Sequence, residues 1–367
     1  MSTDFLKLAN VGVQSLQPYQ PGKPSDELAR ELGITDIVKL ASNENPLGIS
    51  AKVKQMLVQS IDEITRYPDA NGYYLKQALA DKYALQPVQI TLGNGSNDLL
   101  EMLAHAFLNK TDEVIFAQYS FVVYALLTQA MGARAVLVPA REYGHDLETM
   151  LQAITARTKI IFIANPNNPT GTFVNSKVLK AFIARVPAHV IVVLDEAYFE
   201  YVNDAEDSSK WIIDFPHLIV LRTFSKAYGL AGLRIGYSLS HVSIAEILNR
   251  IRQPFNCNSL ALKAALVALN DTAYLQQTVT LNNAGMQDLS AYFNLHKLSF
   301  IESKGNFISV NVRCSAEDVY QELLKEGVIV RPLSPYGLKN HLRVSIGTYA
   351  QNQRFKQALI HVLKLES

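Results

Sequence analysis

The sequence predicts an α/β protein: a large domain on a central, mostly parallel sheet flanked by helices, followed by a smaller α+β domain. Three observations carry that expectation. From about residue 40 to 250, short apolar runs rich in β-branched residues alternate with longer helical patterns, as in successive βαβ units. The runs are apolar enough to be covered on both faces, which is the habit of parallel strands. After about residue 255 the texture changes to a long helical stretch, 259–292, and then to "FISVNV" and "HLRVSIG", where polar and apolar residues alternate as in strands with one solvated face. With 367 residues, 49% of them hydrophobic, the chain can bury a core in each unit.

Taken in order, residues 1–40 read as an arm. "PYQPGKP" is too rich in Pro and Gly for a helix, and the one helical pattern there is "SDELARELG", with Ser25 as the expected N-cap. The large domain, 41–254, has its clearest strands at "QITLG" (89–93), "EVIFA" (113–117), "RAVLVP" (134–139), "KIIFIAN" (159–165), "VIVVLDEA" (190–197) and "HLIVLRTFS" (217–225). Residues 255–367 form the second domain. No repeat, low-complexity tract or disordered linker separates the two, so they are expected to pack together.

Charge and cysteine content exclude several classes of function. Lys plus Arg number 34 against 33 acidic residues, so nothing marks a nucleic-acid or anionic-membrane partner. Cys257 and Cys314 are far apart, which fits reduced thiols in the cytoplasm better than a disulfide framework. The N-terminal stretch has no apolar core of a signal peptide, and no run approaches the roughly 20 residues of a membrane span. None of the eight histidines has metal-ligand spacing; His105, His145 and His341 are read as ordinary residues.

Four motifs fall at strand ends, where ligands bind in an open parallel sheet. In "LGNGSNDLLEMLAHAF" a strand runs into a glycine turn, and Ser96 and Asn97 open a helix whose free N–H groups suit a phosphate; an ordinary capped turn is the alternative. It is neither a dinucleotide fingerprint nor a Walker loop. Asp195 ends the strongly apolar run "VIVVLDEAYFEY" and needs a cation or hydrogen-bond donors, since a lone buried carboxylate is costly; an N-cap role is the alternative. Tyr198 could bring its phenol to the same ligand. "NPNNPTG" (165–171) is a stiff loop in which Asn168 is placed to donate to a ligand oxygen.

The last motif is "LRTFSKAYGLAGLRIGY" (221–237). Lys226 follows an apolar strand, so partial desolvation should lower its pKa and expose a neutral, nucleophilic amine suited to a Schiff base. A lone lysine is ordinarily a solvated charge; the three other motifs give this one a context. Together they describe a holder for pyridoxal 5′-phosphate: Asp195 keeps the pyridine nitrogen protonated, Lys226 binds the aldehyde and shuttles the substrate α-proton, and Thr223, Ser225 and Arg234 neutralise the phosphate.

With these residues the chain resembles the fold-type I, aspartate-aminotransferase-like PLP enzymes, and within them is similar to the histidinol-phosphate aminotransferases. The resemblance runs from "LQPYQPGKP" through "LASNENPLG", "RYPD", "NPNNPTG", "LDEAYFEY" and "TFSKAYGLAGLRIGY" to "GNF" and "LRVSIG". It implies that Lys226 is the Schiff-base lysine, Asp195 the partner of the pyridine nitrogen, and Asn168 and Tyr198 the donors to the ring hydroxyl oxygen. Ser96 and Asn97, with Ser225 and Arg234, would hold the phosphate. The ring-stacking aromatic falls in "AQYSFVVY", with Phe121 in the matching place and Tyr119 the other possibility. Tyr67 of "RYPD" would reach the cofactor phosphate of a neighbouring subunit, which implies a homodimer, and the arm would pack on the small domain and that partner. Arg343 would hold the carboxylate of glutamate in one half-reaction and help with the phosphate of histidinol phosphate in the other, with Tyr19 and Arg331 as further substrate contacts; a salt bridge for Arg331 and a packing role for Tyr19 are the plain alternatives. The implied reaction is a ping-pong transamination between glutamate and imidazole-acetol phosphate that yields 2-oxoglutarate and L-histidinol phosphate. The cofactor motifs alone do not separate this from an aromatic-amino-acid aminotransferase or a threonine-phosphate decarboxylase. A PLP-sensing regulator would need a DNA-binding segment that this neutral chain lacks.

Overall fold

The apolar runs become strands in the expected order. The computed structural model describes residues 3–203 and 205–365, so the first two residues of the arm and the last two of the second domain lie outside the described residues. The strands are β1 (Val38–Lys39), β2 (Ile90–Gly93), β3 (Glu113–Ala117), β4 (Arg134–Val138), β5 (Thr158–Ala164), β6 (Ile191–Asp195), β7 (Leu218–Thr223), β8 (Gly236–Ser240), β9 (Phe300–Ile301), β10 (Phe307–Asn311), β11 (Val328–Ile329), β12 (Arg331–Pro332) and β13 (His341–Ser345).

Seven of them form the large sheet, in the order β2-β8-β7-β6-β5-β3-β4. Its neighbours pair in parallel except where β8 runs antiparallel to both β2 and β7. The sequence reading missed β8. It lies in the stretch that also carries Lys226 and Arg234, too close behind β7 for a helical crossover, and so returns antiparallel. The central strands β5, β6 and β7 are buried almost throughout, and each fully covered aliphatic side chain contributes about 2 kcal/mol by leaving water. The expectation of two covered faces fails at β4, the edge strand of the sheet: Ala135 and Leu137, on one face, are exposed, and so is Arg134 at its start.

Helices lie on both sides of the sheet in two apolar layers. One gathers Leu75, Leu79, Phe182, Trp211 and Ala265; the other gathers Leu99, Leu103, Tyr124, Phe162 and Leu248. The first layer extends to Leu269, with Leu275 packed against it, well past the change of texture at 255. The expected single helical stretch is two helices, Ser259–Leu269 and Thr272–Leu295. They part at Asn270–Asp271, residues whose side chains compete with the helix for backbone groups; Asn270 caps the first helix by donating to Leu266 O (2.9 Å).

The second core is built on the four-stranded antiparallel sheet β12-β13-β10-β9 and holds Leu289, Phe293, Ile308, Val344 and Phe355. The solvated face expected for β10 and β13 is not found. Ser309, Arg343 and Ser345 are buried against the large domain, where Ser309 donates to Pro169 O (2.7 Å). Their polarity serves a cleft between domains, which alternation in sequence cannot distinguish from a face in water.

The arm is tied to this second unit. Helix Ser25–Leu32 buries Leu28 with Leu324 and Ile329, and β1 pairs in parallel with β11. Ser25 is not the N-cap: Pro24 holds that place, Ser25 is the first helical residue, and no side chain caps the end. Two single-turn helices, Phe5–Leu8 and Val11–Gln14, precede it where no helix was expected.

Candidate active site

A cavity opens at the carboxyl ends of β2, β5, β6 and β7, the place a parallel sheet reserves for ligands. Its floor carries Ser96 and Asn97 after β2, Phe121 in the turn after β3, Asn168 after β5, Asp195 and Tyr198 after β6, and Thr223, Ser225, Lys226 and Arg234 around β7. Its roof comes from the second unit and the arm: Arg331 and Arg343, then Tyr19. Counting Phe121 rather than Tyr119 as the stacking aromatic, thirteen of the fourteen site residues expected from the sequence therefore meet in one place.

Tyr67 is the exception. It is 83% exposed, stacks on Phe255 (ring centroids 4.7 Å apart) and lines a separate surface cavity with Asp69 and Leu262. Between the two aromatics considered for stacking, Phe121 lines the main cavity, whereas Tyr119 turns away toward Tyr143 at 6.0 Å.

Lys226 projects into the cavity, and its Nζ donates to Ser42 O at 3.0 Å. Burial lowers its pKa to about 8, with the charges of Arg343 and Arg234 adding to the effect and Glu44 and Asp195 opposing it. A usable fraction of the amine is therefore neutral near physiological pH, as the sequence context suggested.

Asp195 is buried at the end of β6. Burial raises its pKa, against which it accepts from Tyr124 Oη at 2.8 Å and from the Ala197 N–H at 3.2 Å. Both hydrogen-bond donors are neutral; the positive charge of Lys226 in the same cavity also favours the ionised carboxylate, with no ion pair between the two among the described residues. Tyr124 was missed in the sequence although it sits in the quoted "AQYSFVVY". It lies flat on Phe162 (4.5 Å, 5°), which aims its hydroxyl.

The phosphate end is a cup of backbone and cation. Helix Ser96–Phe107 begins after Gly95, whose φ of +84° is unfavourable for other residues; a Cβ there would overlap the Arg234 guanidinium. A Cβ on Gly236 would stand 2.8 Å from the Ser96 nitrogen. Arg234 thus lies against Gly95 at the start of this helix and approaches Ser225 Oγ (3.4 Å), while Thr223 Oγ1 accepts from the Ser225 N–H (3.1 Å). A cation and a helix N-terminus facing each other call for an anion between them.

Arg343 is buried, and its η nitrogens donate to Asn168 Oδ1 (2.6 Å) and Ala41 O (2.7 Å). Its Nε has no partner, and no carboxylate pairs with it among the described residues. Directly across the β12–β13 ladder stands Arg331, which donates to Gln20 O (2.7 Å) and lies 5.7 Å from the Tyr19 ring. Like charges opposite each other on one sheet face repel, so this pair also awaits an anion. Among the further lining residues with no role assigned in the sequence are the polar Ser42, Asn43 and Tyr336.

Lys226 with its lowered pKa, the buried carboxylate of Asp195, the anion cup and two arginines without carboxylate partners among the described residues thus line one cavity. The model of the family "Aminotransferase class I and II" matches residues 35–359. A histidinol-phosphate aminotransferase of Idiomarina loihiensis is 59% identical, covering 96% of this chain and 97% of its own, and one of Pasteurella multocida is 54% identical, covering 98% and 100%. Among solved structures, the histidinol-phosphate aminotransferase of Sinorhizobium meliloti in complex with pyridoxal 5′-phosphate superposes with a TM-score of 0.90 at 29% identity, over 96% of this chain and 97% of that one. This chain belongs to the class I and II aminotransferases. Its architecture is fold type I, as the sequence led one to expect.

Proposed function

We propose that this protein is a pyridoxal 5′-phosphate-dependent transaminase that exchanges an amino group between glutamate and imidazole-acetol phosphate, giving L-histidinol phosphate and 2-oxoglutarate. The observation that carries the substrate side is Arg343, a buried guanidinium without a carboxylate partner among the described residues, in the same cavity as Lys226. The relatives named above, alike over nearly their whole length, support the choice of substrate.

The residues fit the cofactor. The cup of Ser96, Asn97, Ser225 and Arg234 suits its phosphate, Phe121 its ring face, Asp195 its pyridinium nitrogen, and Asn168 and Tyr198 its ring oxygen. When bound, pyridoxal 5′-phosphate supplies an electron sink for the carbanion formed at the substrate α-carbon and carries the amino group between half-reactions. Asp195 would keep the pyridine nitrogen charged. Lys226 would take the α-proton as a neutral amine, helped by its lowered pKa, and hand it on to the cofactor within the same half-reaction; the second half-reaction would run this transfer in reverse. Arg343 would anchor the glutamate carboxylate, and Arg331 and Tyr19 would close the roof over the phosphate-bearing substrate and exclude water.

We further propose a homodimer in which Tyr67 reaches its partner's cavity. Tyr67 and Phe255 form an exposed aromatic pair, and Tyr67 shares a surface cavity with exposed Tyr74, an aromatic patch suited to a second copy. A cytoplasmic location agrees with two unpaired cysteines, and among the described residues no helix is long and apolar enough to cross a membrane.

The test is one half-reaction. L-Histidinol phosphate, phenylalanine and threonine phosphate are added separately to the PLP-loaded protein, and the visible cofactor absorbance is followed. Rapid loss with histidinol phosphate alone is expected. Equal loss with phenylalanine would mean a broader aromatic aminotransferase, and release of carbon dioxide from threonine phosphate would mean a decarboxylase.

A further inference from the structure

We propose that Asn43 and Ser345 form a one-way hydrogen-bond relay that frees the Tyr198 proton for donation into the cavity, making Asn43 a positioning residue for the cofactor's ring oxygen. The inference rests on the cofactor reading above, and neither residue was assigned a role there.

The direction follows from the one member that has no choice. The backbone N–H of Asn43 can only donate, and it does so to Ser345 Oγ at 2.8 Å. With that lone pair used, the Ser345 hydroxyl has a proton to give, and Asn43 Oδ1 lies 2.9 Å away to take it. The Asn43 amide is therefore oriented with its nitrogen toward Tyr198, donating to Oη at 2.9 Å. The opposite orientation would strand the serine proton in a buried site, at the cost of an unmade hydrogen bond. Once Tyr198 Oη accepts from Asn43, its own proton is free to point into the cavity that it lines.

The surroundings hold this arrangement in place. Asn43, Tyr198 and Ser345 are all almost fully buried, so water does not compete with the relay. Asn43 sits at φ +55°, a conformation Asn tolerates better than most residues, and its carbonyl accepts from Asn306 Nδ2 at 3.0 Å. The Tyr198 ring packs edge-on against Phe307 at 5.2 Å. Burial pushes the Tyr198 pKa up to about 12, so the phenol keeps its proton across the working pH range.

A donor fixed on an ionised ring oxygen stabilises the unprotonated form of the bound chromophore and lowers its apparent pKa. The experiment is a pH titration of the visible absorbance of PLP-loaded protein in five forms: wild type, Ser345→Ala, Asn43→Asp, Tyr198→Phe, and Asn43→Asp with Tyr198→Phe. PLP dissociation constants and melting temperatures are measured alongside. Asn43→Asp turns the donor into an acceptor that captures the phenol proton, so its midpoint should rise by about one pH unit, the scale of one hydrogen bond to an ionised group. Ser345→Ala should rise less, and Asn43→Asp should add nothing to Tyr198→Phe. A wild-type midpoint in both Ser345→Ala and Asn43→Asp overturns the relay. So does an additive shift in the double variant, which would mean that the new charge acts without Tyr198. Should Asn43→Asp fail to fold or load, Ser345→Ala decides alone. If the wild type shows no visible band with PLP, the cofactor reading fails instead.

Discussion

Arg343 donates from Nη1 to the side-chain oxygen of Asn168 at 2.6 Å, and through that bond a strand of the second unit orients an amide on a loop of the large sheet. Arginine has donors only, so the Asn168 carbonyl oxygen must face it and the NH₂ group is turned elsewhere. Two residues further along β13, Ser345 fixes the orientation of Asn43. One face of β13 thus governs two amides beside the cavity.

Replacing Arg343 by Ala removes both the substrate anchor and the orientation of Asn168. We expect kcat/KM for glutamate to fall by roughly 10² or more, since losing one partner of a buried charged contact costs about 2–5 kcal/mol. Lysine at this position should rescue little, because it lacks the fork that reaches Asn168 and Ala41 together. Half-reaction kinetics with glutamate check both, and an Arg343→Ala enzyme with unchanged kcat/KM would remove Arg343 from the substrate site.

The lowered pKa of Lys226 gives a signed pH dependence. The neutral amine is the reactive form, so the rate at which protein freed of cofactor takes up PLP should rise about tenfold per pH unit and level off above about 8. Removing Arg343, whose charge helps to lower that pKa, should move the midpoint upward. Stopped-flow absorbance across pH 6–10 measures it (a range on the order of two units either side of the midpoint). A plateau already reached at the acid end would contradict the assignment.

Tyr124→Phe keeps the ring on Phe162 and deletes only the donor to Asp195. The carboxyl pKa, already raised by burial, should rise further, so Asp195 would take up a proton at higher pH and the acid limb of the rate profile should shift upward. The loss in kcat should be about five- to tenfold, as for one hydrogen bond of about 1 kcal/mol or slightly more. An unshifted acid limb would show that Asp195 does not depend on this phenol.

Gly95→Ala should weaken PLP binding at least about tenfold while leaving secondary structure intact. The positive φ costs about 1–2 kcal/mol for an L residue, and the methyl group would displace Arg234 from the anion cup. Fluorescence titration with PLP, and with inorganic phosphate as a smaller anion, would show the loss in both. Retained affinity for both would separate Gly95 and Arg234 from phosphate binding.

The sequence alone determined the parts of this protein that local physics controls. Apolar β-branched runs had to become strands, and Ser96, Asn168, Asp195 and Lys226 were legible because each stands just past such a run, where a parallel sheet presents its ligands. The tertiary structure decided what distant segments do to one another. Tyr124 looks like an ordinary helical aromatic until Phe162 turns its hydroxyl to Asp195; Asn43 and Ser345 lie 302 positions apart in the chain; and the alternating face of β13 could equally have met water. Strand β8 reversed direction because its connection was too short to cross over. Hydrophobic periodicity reports whether a residue leaves water, whereas a polar side chain's partner is set by the packing of whole layers, which no single stretch of sequence encodes.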